Sequence, residues 1–214
     1  MKKMRVRLTF IDDILGTASS DPDIHGTYIS SKAPDAKTKT EEIEALGEEE
    51  VKEKGRTIFP KNADGKPVLW NYQIRGFFKS AAQALNGIDP ANRLPSCKSR
   101  IDQLIFVYED ADNIAKRDIV IHTDDPITDC QRPLRAETMQ GARVAIADSD
   151  CIKAGAWVEF DIVILGGAGQ TEKSHVSEKK MVELVKAWLD YGKYCGIGQW
   201  RNSGKGAFLW EEIA

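Results

Sequence analysis

The chain has 214 residues, of which 42% are apolar and 29% are charged, and its formal net charge at pH 7 is −3. This length and apolar content suit one well-filled core, and the weak negative charge argues against a protein that coats nucleic acid by bulk electrostatics alone. No apolar run is long enough to span a bilayer and no signal-type segment is present, so the sequence predicts a cytoplasmic protein without membrane contact.

The first predicted element is a strand at Met4–Phe10, where apolar and polar residues alternate so that one face enters the core. A long connection rich in Asp, Ser, Thr and Lys follows at 11–56, with a short helix expected around 40–54. A connection of this length in a compact domain is usually functional or mobile. The next segments predict a hairpin over 56–70 that turns at Ala63-Asp64-Gly65.

A helix is predicted from about Asn71 to Asn86, because apolar residues recur at helical spacing and Gly87 and Pro90 follow as stop signals. Arg75 and Lys79 lie four residues apart on another face of this helix. They begin a segment, 75–100, that carries five cations and one acid, whereas 41–50 holds six glutamates and no cation. The distribution predicts a basic face and an acidic segment in one chain.

The rest of the chain predicts further strands and a second helix. That helix is expected over 177–194 with Ser177 as its N-cap, and a last strand is expected over 207–213. The strands between the two helices are predicted at Ile101–Tyr108, Asp118–His122, 142–149 and Trp157–Leu165. Without inserted hairpins the order is βαββαβ, which predicts an α+β fold with a ferredoxin-like core, the RRM-like scaffold of many RNA-binding modules.

A glycine-rich segment at 196–208 separates the second helix from the last strand and contains four glycines, Arg201 and Lys205. Turned backbone amides near glycine form anion-binding concavities that the two cations could reinforce. Walker and Rossmann loops run from a strand into a helix, and this order is the reverse. A phosphate-binding loop of another kind is therefore predicted, and a glycine-rich connection without a ligand is the alternative.

The four cysteines lie about twenty or more residues apart and lack CxxC spacing. This pattern predicts reduced thiols, with neither a zinc site nor a disulfide framework. No metal or cofactor is predicted.

The glycine-rich segment, with its GxGxxxxxGxG spacing and its place before the last strand, resembles the repeat-associated mysterious protein (RAMP) superfamily of CRISPR-associated proteins. Residues 72–81, with Gly76 and Lys79, are similar to the first-helix entry of the superfamily's backbone subunits. The resemblance implies one RAMP-like domain over 1–214, with insertions at about 11–70 and 109–155 between elements of a palm-like core.

The resemblance implies a subunit that binds single-stranded guide RNA without cleaving it. Such a subunit would either join other subunits in a ribonucleoprotein complex or assemble with further copies of itself along the RNA. Loop amides and cations would contact phosphates, and Trp200 could stack on a base or, alternatively, pack on the second helix. The predicted RNA-binding residues are Arg75, Lys79, Gly196, Gly198, Gln199, Trp200, Arg201, Asn202, Ser203, Gly204 and Lys205.

Two other functions stay open at this point. A RAMP-type endoribonuclease would use His25 as acid or base, or Asp13 with neighbouring carboxylates and Mg²⁺, although both residues suit a merely solvated loop as well. A virus-encoded mimic would bind and inhibit a CRISPR effector complex, offering its acidic 41–50 segment to a cation-rich partner.

Overall fold

The computed structural model of the chain describes residues 1–19, 56–138, 141–167 and 176–213. The helix expected around 40–54, the acidic 41–50 segment and His25 lie outside the described residues. The chain divides into two compact units. The first comprises Met1–Ile14, Pro60–Pro126 and Ile152–Ala214, and the second comprises Leu15–Phe59 and Ile127–Cys151.

The described helices are α1 (Asn71–Asn86), α2 (Cys97–Leu104) and α3 (Glu178–Asp190). The strands are β1 (Lys2–Phe10), β2 (Ile14–Leu15), β3 (Ala18–Ser19), β4 (Thr57–Ile58), β5 (Val68–Trp70), β6 (Ile105–Tyr108), β7 (Asp118–His122), β8 (Thr128–Thr138), β9 (Gly141–Ile152), β10 (Trp157–Ile164) and β11 (Phe208–Ile213).

The first unit contains a six-stranded sheet in the order β11-β1-β10-β7-β5, with β6 also paired to β10. Strand β1 is antiparallel to both neighbours, so that Val6 lies opposite Phe160 and Glu212. The predicted alternation of β1 is confirmed, because Met4, Val6, Leu8 and Phe10 are each at most 2% exposed. Burial of such side chains stabilises the fold by about 1.5–3 kcal/mol each.

Helices α1 and α3 bury their apolar stripes in this unit's core. Phe77 of α1 packs edge-on against Phe208 of β11 at 5.1 Å, and Phe78 lies 6.0 Å from Trp188 of α3. The predicted bounds of α1 are confirmed, and the Ser177 hydroxyl accepts a hydrogen bond from the Lys180 amide, as expected of an N-cap. The combination of two sheets with helices confirms the α+β class.

The prediction of one strand over Ile101–Tyr108 is wrong in its first half. Residues Cys97–Leu104 form α2, and only Ile105–Tyr108 are extended. Cys97, Ile101 and Leu104 are buried at a spacing of four and three residues, which places them on one side of a helix. A short apolar run is compatible with a helix as well as with a strand, so the pattern around Ile101 predicts the wrong element.

The turn predicted at Ala63-Asp64-Gly65 is confirmed, and the residues next to it form a short hairpin, in which Lys61 pairs antiparallel with Pro67 and the Val68 amide donates to the Pro60 carbonyl at 2.9 Å. Asn62 accepts hydrogen bonds from the amides of Gly65 and Lys66, and Gly65 has a φ of 75°. Strand β4 before the turn pairs with β3 and β9 of the second unit, whereas β5 after it pairs with β7 of the first. Beyond this short hairpin, the two strands therefore join different sheets.

The second unit is built on a five-stranded sheet in the order β2-β9-β4-β3, with β8 antiparallel to β9. Arg56 donates to the Asp150 carboxylate at 2.6 Å, and the other oxygen of Asp150 accepts from the Phe59 amide. Both segments of this unit fall inside the predicted insertions. The assignment of the whole chain to one RAMP-like domain stays a prediction.

Candidate nucleic-acid interface

The glycine-rich loop, Gly196–Gly206, closes on itself at its base. The Ile197 amide donates to the Gly206 carbonyl at 3.0 Å, and a Cβ atom on Gly196 would overlap the backbone of Gly206. Gly206 has a φ of 71°, and a Cβ there would overlap the Ile197 carbonyl. These two glycines are therefore required by the packing of the loop, whether or not a ligand binds.

The base of the loop is fixed to the turn that follows β1. The Gly206 amide donates to the Asp13 carbonyl at 2.8 Å, and the Ile11 amide donates to the Ala207 carbonyl at 2.9 Å. The Lys205 ammonium lies 2.9 Å from Asp12 Oδ1 and 3.4 Å from Asp13 Oδ2. The hydrogen bond to Asp12 raises the pKa of Lys205 above its ordinary value, although burial opposes this shift.

Asp13 is the junction between three segments of the first unit. Its carboxylate accepts from the Ala154 amide at 3.2 Å and from Lys153 Nζ at 3.3 Å, in addition to Lys205. Burial alone would raise the pKa of Asp13, but the Ala154 amide and the two lysines outweigh it and hold the pKa below its ordinary value.

The cations around Asp13 affect whether its carboxylate could bind a metal ion. A divalent cation would have to displace the two ammonium groups, and the described residues contain no cluster of three metal-ligating side chains. A catalytic role for Asp13, like that of His25, stays a prediction.

The tip of the loop faces outward and contacts α1. Trp200 is 43% exposed and has a φ of 56°, in the left-handed region that residues with a side chain seldom occupy. Arg201 begins a short 3₁₀ turn, Arg201–Ser203, and its Nη1 lies 3.5 Å from Ser80 Oγ on α1. Asn202 and Ser203 are exposed beside it. The structure thus brings predicted loop residues next to the predicted helix.

On α1, Arg75 and Lys79 share one acidic partner. Arg75 Nη2 and Lys79 Nζ each lie 2.7 Å from Asp102 Oδ1 on α2. Because a single carboxylate faces two cations, this face of α1 keeps an excess of positive charge. Their predicted contact with RNA stays a prediction.

Gly76 lies between these cations in the chain and leaves an open notch on α1. A Cβ atom there would meet nothing within 4 Å, whereas glycine in a helix interior destabilises the fold by about 0.5–1 kcal/mol relative to alanine. The packing of the described residues therefore gives no reason for glycine at this position. Gly76 is also one of the two residues on which the resemblance of 72–81 to the first-helix entry of RAMP backbone subunits depends.

A second group of aromatic and charged residues was missed from the sequence. His122 of β7 and Trp157 of β10 stack with centroids 3.8 Å apart and planes 7° from parallel. The Arg7 guanidinium lies 4.7 Å from the Trp157 ring centroid. The three residues come from separate strands, so no spacing in the sequence indicates their contact.

Comparison with known proteins gives a structural neighbour and no family. No protein-family model matches the chain, and no curated protein does. Among the solved structures similar to it is a chain of the cryo-EM structure of the Type III-B Cmr-beta bound to cognate target RNA, with 9% sequence identity and a TM-score of 0.47. The match covers 100% of this chain, which spans 60% of the neighbour's length.

Within the described ranges, no helix is both long enough and apolar enough to cross a bilayer.

Proposed function

We propose that this protein binds single-stranded RNA across one surface, made of the tip of the glycine-rich loop and the outer face of α1. The observation that carries the proposal is the contact between Arg201 and Ser80, which joins loop and helix. A surface that carries cations and an exposed aromatic ring suits a strand with a charged backbone and stacking bases.

The wider proposal is that the first unit is a ferredoxin-like core of the RAMP type. Its support is the element order β1-α1-β6-β10-α3-β11 and the strand order β11-β1-β10-β6. In this proposal the protein is a small guide-RNA-binding subunit that works with other subunits of a ribonucleoprotein complex or assembles along RNA.

The residues take different parts in the proposed complex. Arg75, Lys79 and Arg201 contact phosphates. Because Arg75 and Lys79 share the single carboxylate of Asp102, both keep hydrogen-bond donors for this purpose. Trp200 stacks on a base, a contact worth about 1–3 kcal/mol. The notch at Gly76 lets the RNA backbone approach the helix.

Lys205 has a different part from the one expected of a phosphate ligand. Its ammonium is already engaged by two carboxylates, Asp12 and Asp13, whereas the two helix cations share one. We therefore expect Lys205 to act as a positioning residue that holds the loop on the turn after β1.

The experiment is a fluorescence-anisotropy titration of labelled single-stranded RNA at several salt concentrations. Arg201→Ala and Lys79→Ala should each weaken binding and reduce the salt slope by about 0.7 for each phosphate that the protein no longer neutralises. Trp200→Ala should weaken binding about ten-fold or more without changing the slope, because stacking releases no counterion.

The matched control is Lys186→Ala, since Lys186 is an exposed cation on α3 paired with Glu212. Equal affinity of this control and the Arg201 and Lys79 variants would refute the proposed surface. Electrophoresis of the same RNA after incubation tests the endoribonuclease alternative, because an RNA-binding subunit leaves the strand intact.

A further inference from the structure

The open face of the first sheet carries a row of residues that crosses four strands. Leu209 of β11 pairs with Thr9 of β1, Thr9 pairs with Trp157 of β10, and Trp157 pairs with His122 of β7. These residues alternate with the buried ones that face the helices, such as Phe208, Leu8 and Val158. Leu209 is 55% exposed, so the row reaches solvent.

The aromatic end of this row is held rigidly. Arg7 Nη2 donates to Glu159 Oε1 at 2.6 Å, and this ion pair fixes the guanidinium that lies over Trp157. His122 stacks parallel to Trp157, as described above. A preorganised aromatic platform loses little side-chain entropy when a flat ligand settles on it.

A pocket of about 430 Å³ opens beside the platform, within the size range of small-molecule sites. Asp124 and Asp125 are exposed at its rim, and Lys66 lies there as well. The Thr123 hydroxyl accepts from the Asp125 amide at 3.1 Å, which defines the turn that carries both acids. The pocket is lined by Lys66, Pro67, Ile121, His122, Thr123, Asp124, Asp125 and Ala154–Trp157.

The charge state of His122 matters for what the pocket binds. Burial lowers the pKa of His122 below its ordinary value, Lys66 and Arg7 act in the same direction, and Glu159 and Glu109 oppose them. The ring is therefore neutral at neutral pH, and a neutral imidazole offers a stacking face together with one acceptor nitrogen.

We propose that this pocket binds a nucleobase that carries an exocyclic amino group, with its ring against His122, which is itself stacked on Trp157, and its amino group toward Asp124 or Asp125. Carboxylates accept hydrogen bonds from such amino groups, and uracil has none. Lys66 supplies a cation for a phosphate attached to the same nucleoside. This site uses neither the glycine-rich loop nor α1, so it can fail or hold independently of the proposed function.

The experiment uses uncharged nucleosides and the ¹⁵N-indole signals of the whole protein. Guanosine, adenosine and cytidine should shift the Trp157 signal at millimolar concentration, and uridine should bind about ten-fold more weakly. Trp210, whose indole donates to Asp190 at 2.8 Å, is an internal control whose signal should stay unchanged. No shift of the Trp157 signal with any nucleoside would overturn the proposal.

Three variants separate the parts of the proposal. His122→Ala should weaken nucleoside binding about ten-fold, whereas His122→Phe keeps an aromatic ring and should retain most of the affinity. Joint replacement of Asp124 and Asp125 by asparagine should reduce the preference over uridine. Unchanged binding by His122→Ala, or equal binding of all four nucleosides by the unaltered protein, would contradict the assignment.

Lys186→Ala serves as the reference for a fold-neutral change, because Lys186 lies on α3, outside both proposed sites. It should bind nucleosides as the unaltered protein does. A thermal unfolding curve of each variant shows whether a loss of binding comes from a loss of fold.

Discussion

Lys205 and Asp12 form a 2.9 Å ion pair that joins the end of the glycine-rich loop to the turn after β1. The Lys205 ammonium is also 3.4 Å from Asp13, whose carbonyl accepts from the Gly206 amide. The Lys205 side chain is 21% exposed, against 44% for Lys186 of the surface pair Lys186–Glu212, whereas Asp12 at 41% is as exposed as Glu212 at 40%. Lys205 is therefore less screened by solvent than Lys186, and its second carboxylate, Asp13, is only 22% exposed.

Replacement of Lys205 by methionine should destabilise the protein by about 1 kcal/mol, because two carboxylates lose a common partner. Urea unfolding followed by circular dichroism measures the change. Lys186→Met breaks a pair of the same 2.9 Å length at the surface and should change the unfolding free energy by less than about 0.5 kcal/mol. Equal effects of the two changes would show that the loop pair has no special role.

Gly206→Ala should destabilise the protein by about 2 kcal/mol or more, because the new Cβ adds a clash with the Ile197 carbonyl to the strain of a φ of 71°. Gly65→Ala separates the two effects. Gly65 has a similar φ of 75°, but a Cβ there meets nothing within 4 Å. Thermal unfolding should show a loss of about 1 kcal/mol for Gly65→Ala, and a similar loss for both would exclude the clash.

Gly76→Ala should raise stability and lower RNA affinity at the same time. Alanine has the higher helix propensity by about 1 kcal/mol and fills open space here, so the helix gains. The added methyl group would separate α1 from an RNA backbone that lies against it.

The control for Gly76 is Gly87→Ala at the end of the same helix, where a Cβ makes ordinary contact at 3.8 Å. That change should leave RNA affinity as it is. If Gly76→Ala binds RNA as tightly as Gly87→Ala, the strand does not cross the notch.

Protonation of His122 should destabilise the folded protein in mild acid. Since its pKa in the folded state is lowered, the unfolded chain binds the proton more readily, and stability rises with pH across this range. The contribution is fully present above the ordinary histidine pKa of about 6.5 and is lost as the pH falls through the lower, folded-state value. His122→Phe keeps a ring at this position but cannot titrate.

The measurement is the urea midpoint at about pH 7.5 and about pH 5.0, on either side of the ordinary histidine pKa, for the unaltered protein and for His122→Phe. The unaltered protein should lose more stability between the two pH values than the variant does. Parallel losses would assign the acid sensitivity to groups other than His122.

Much of the first unit could be predicted from its periodicity. The apolar stripe of α1 ends at a glycine, and its bounds, Asn71–Asn86, were predicted as observed. The stripe of α2 is only eight residues long and runs directly into β6, so Ile101 and Leu104 gave the signal of a strand. The local pattern of apolar residues was sufficient to predict an element that is long and separated from its neighbours by turns.

The contacts of the candidate site could not be predicted in this way. The pattern of glycines indicated a loop before the last strand, but the partner of Lys205 is Asp12, nearly the whole chain away. Likewise, His122 and Trp157 meet only because β7 and β10 pair in a particular register. Such contacts depend on tertiary structure, so they cannot be predicted from the composition of the sequence.

The pairing of β1 with β11, in which Arg5 lies opposite Ile213, has a consequence for how the protein is made. A ribosome releases β1 long before β11, so the sheet cannot close until almost all of this chain has been synthesised. Non-local pairing of this kind slows folding, because a long chain must be ordered before the contact forms. During that interval β1 exposes the edge that β11 later covers, and an unpaired strand edge of this kind favours aggregation of the incomplete chain.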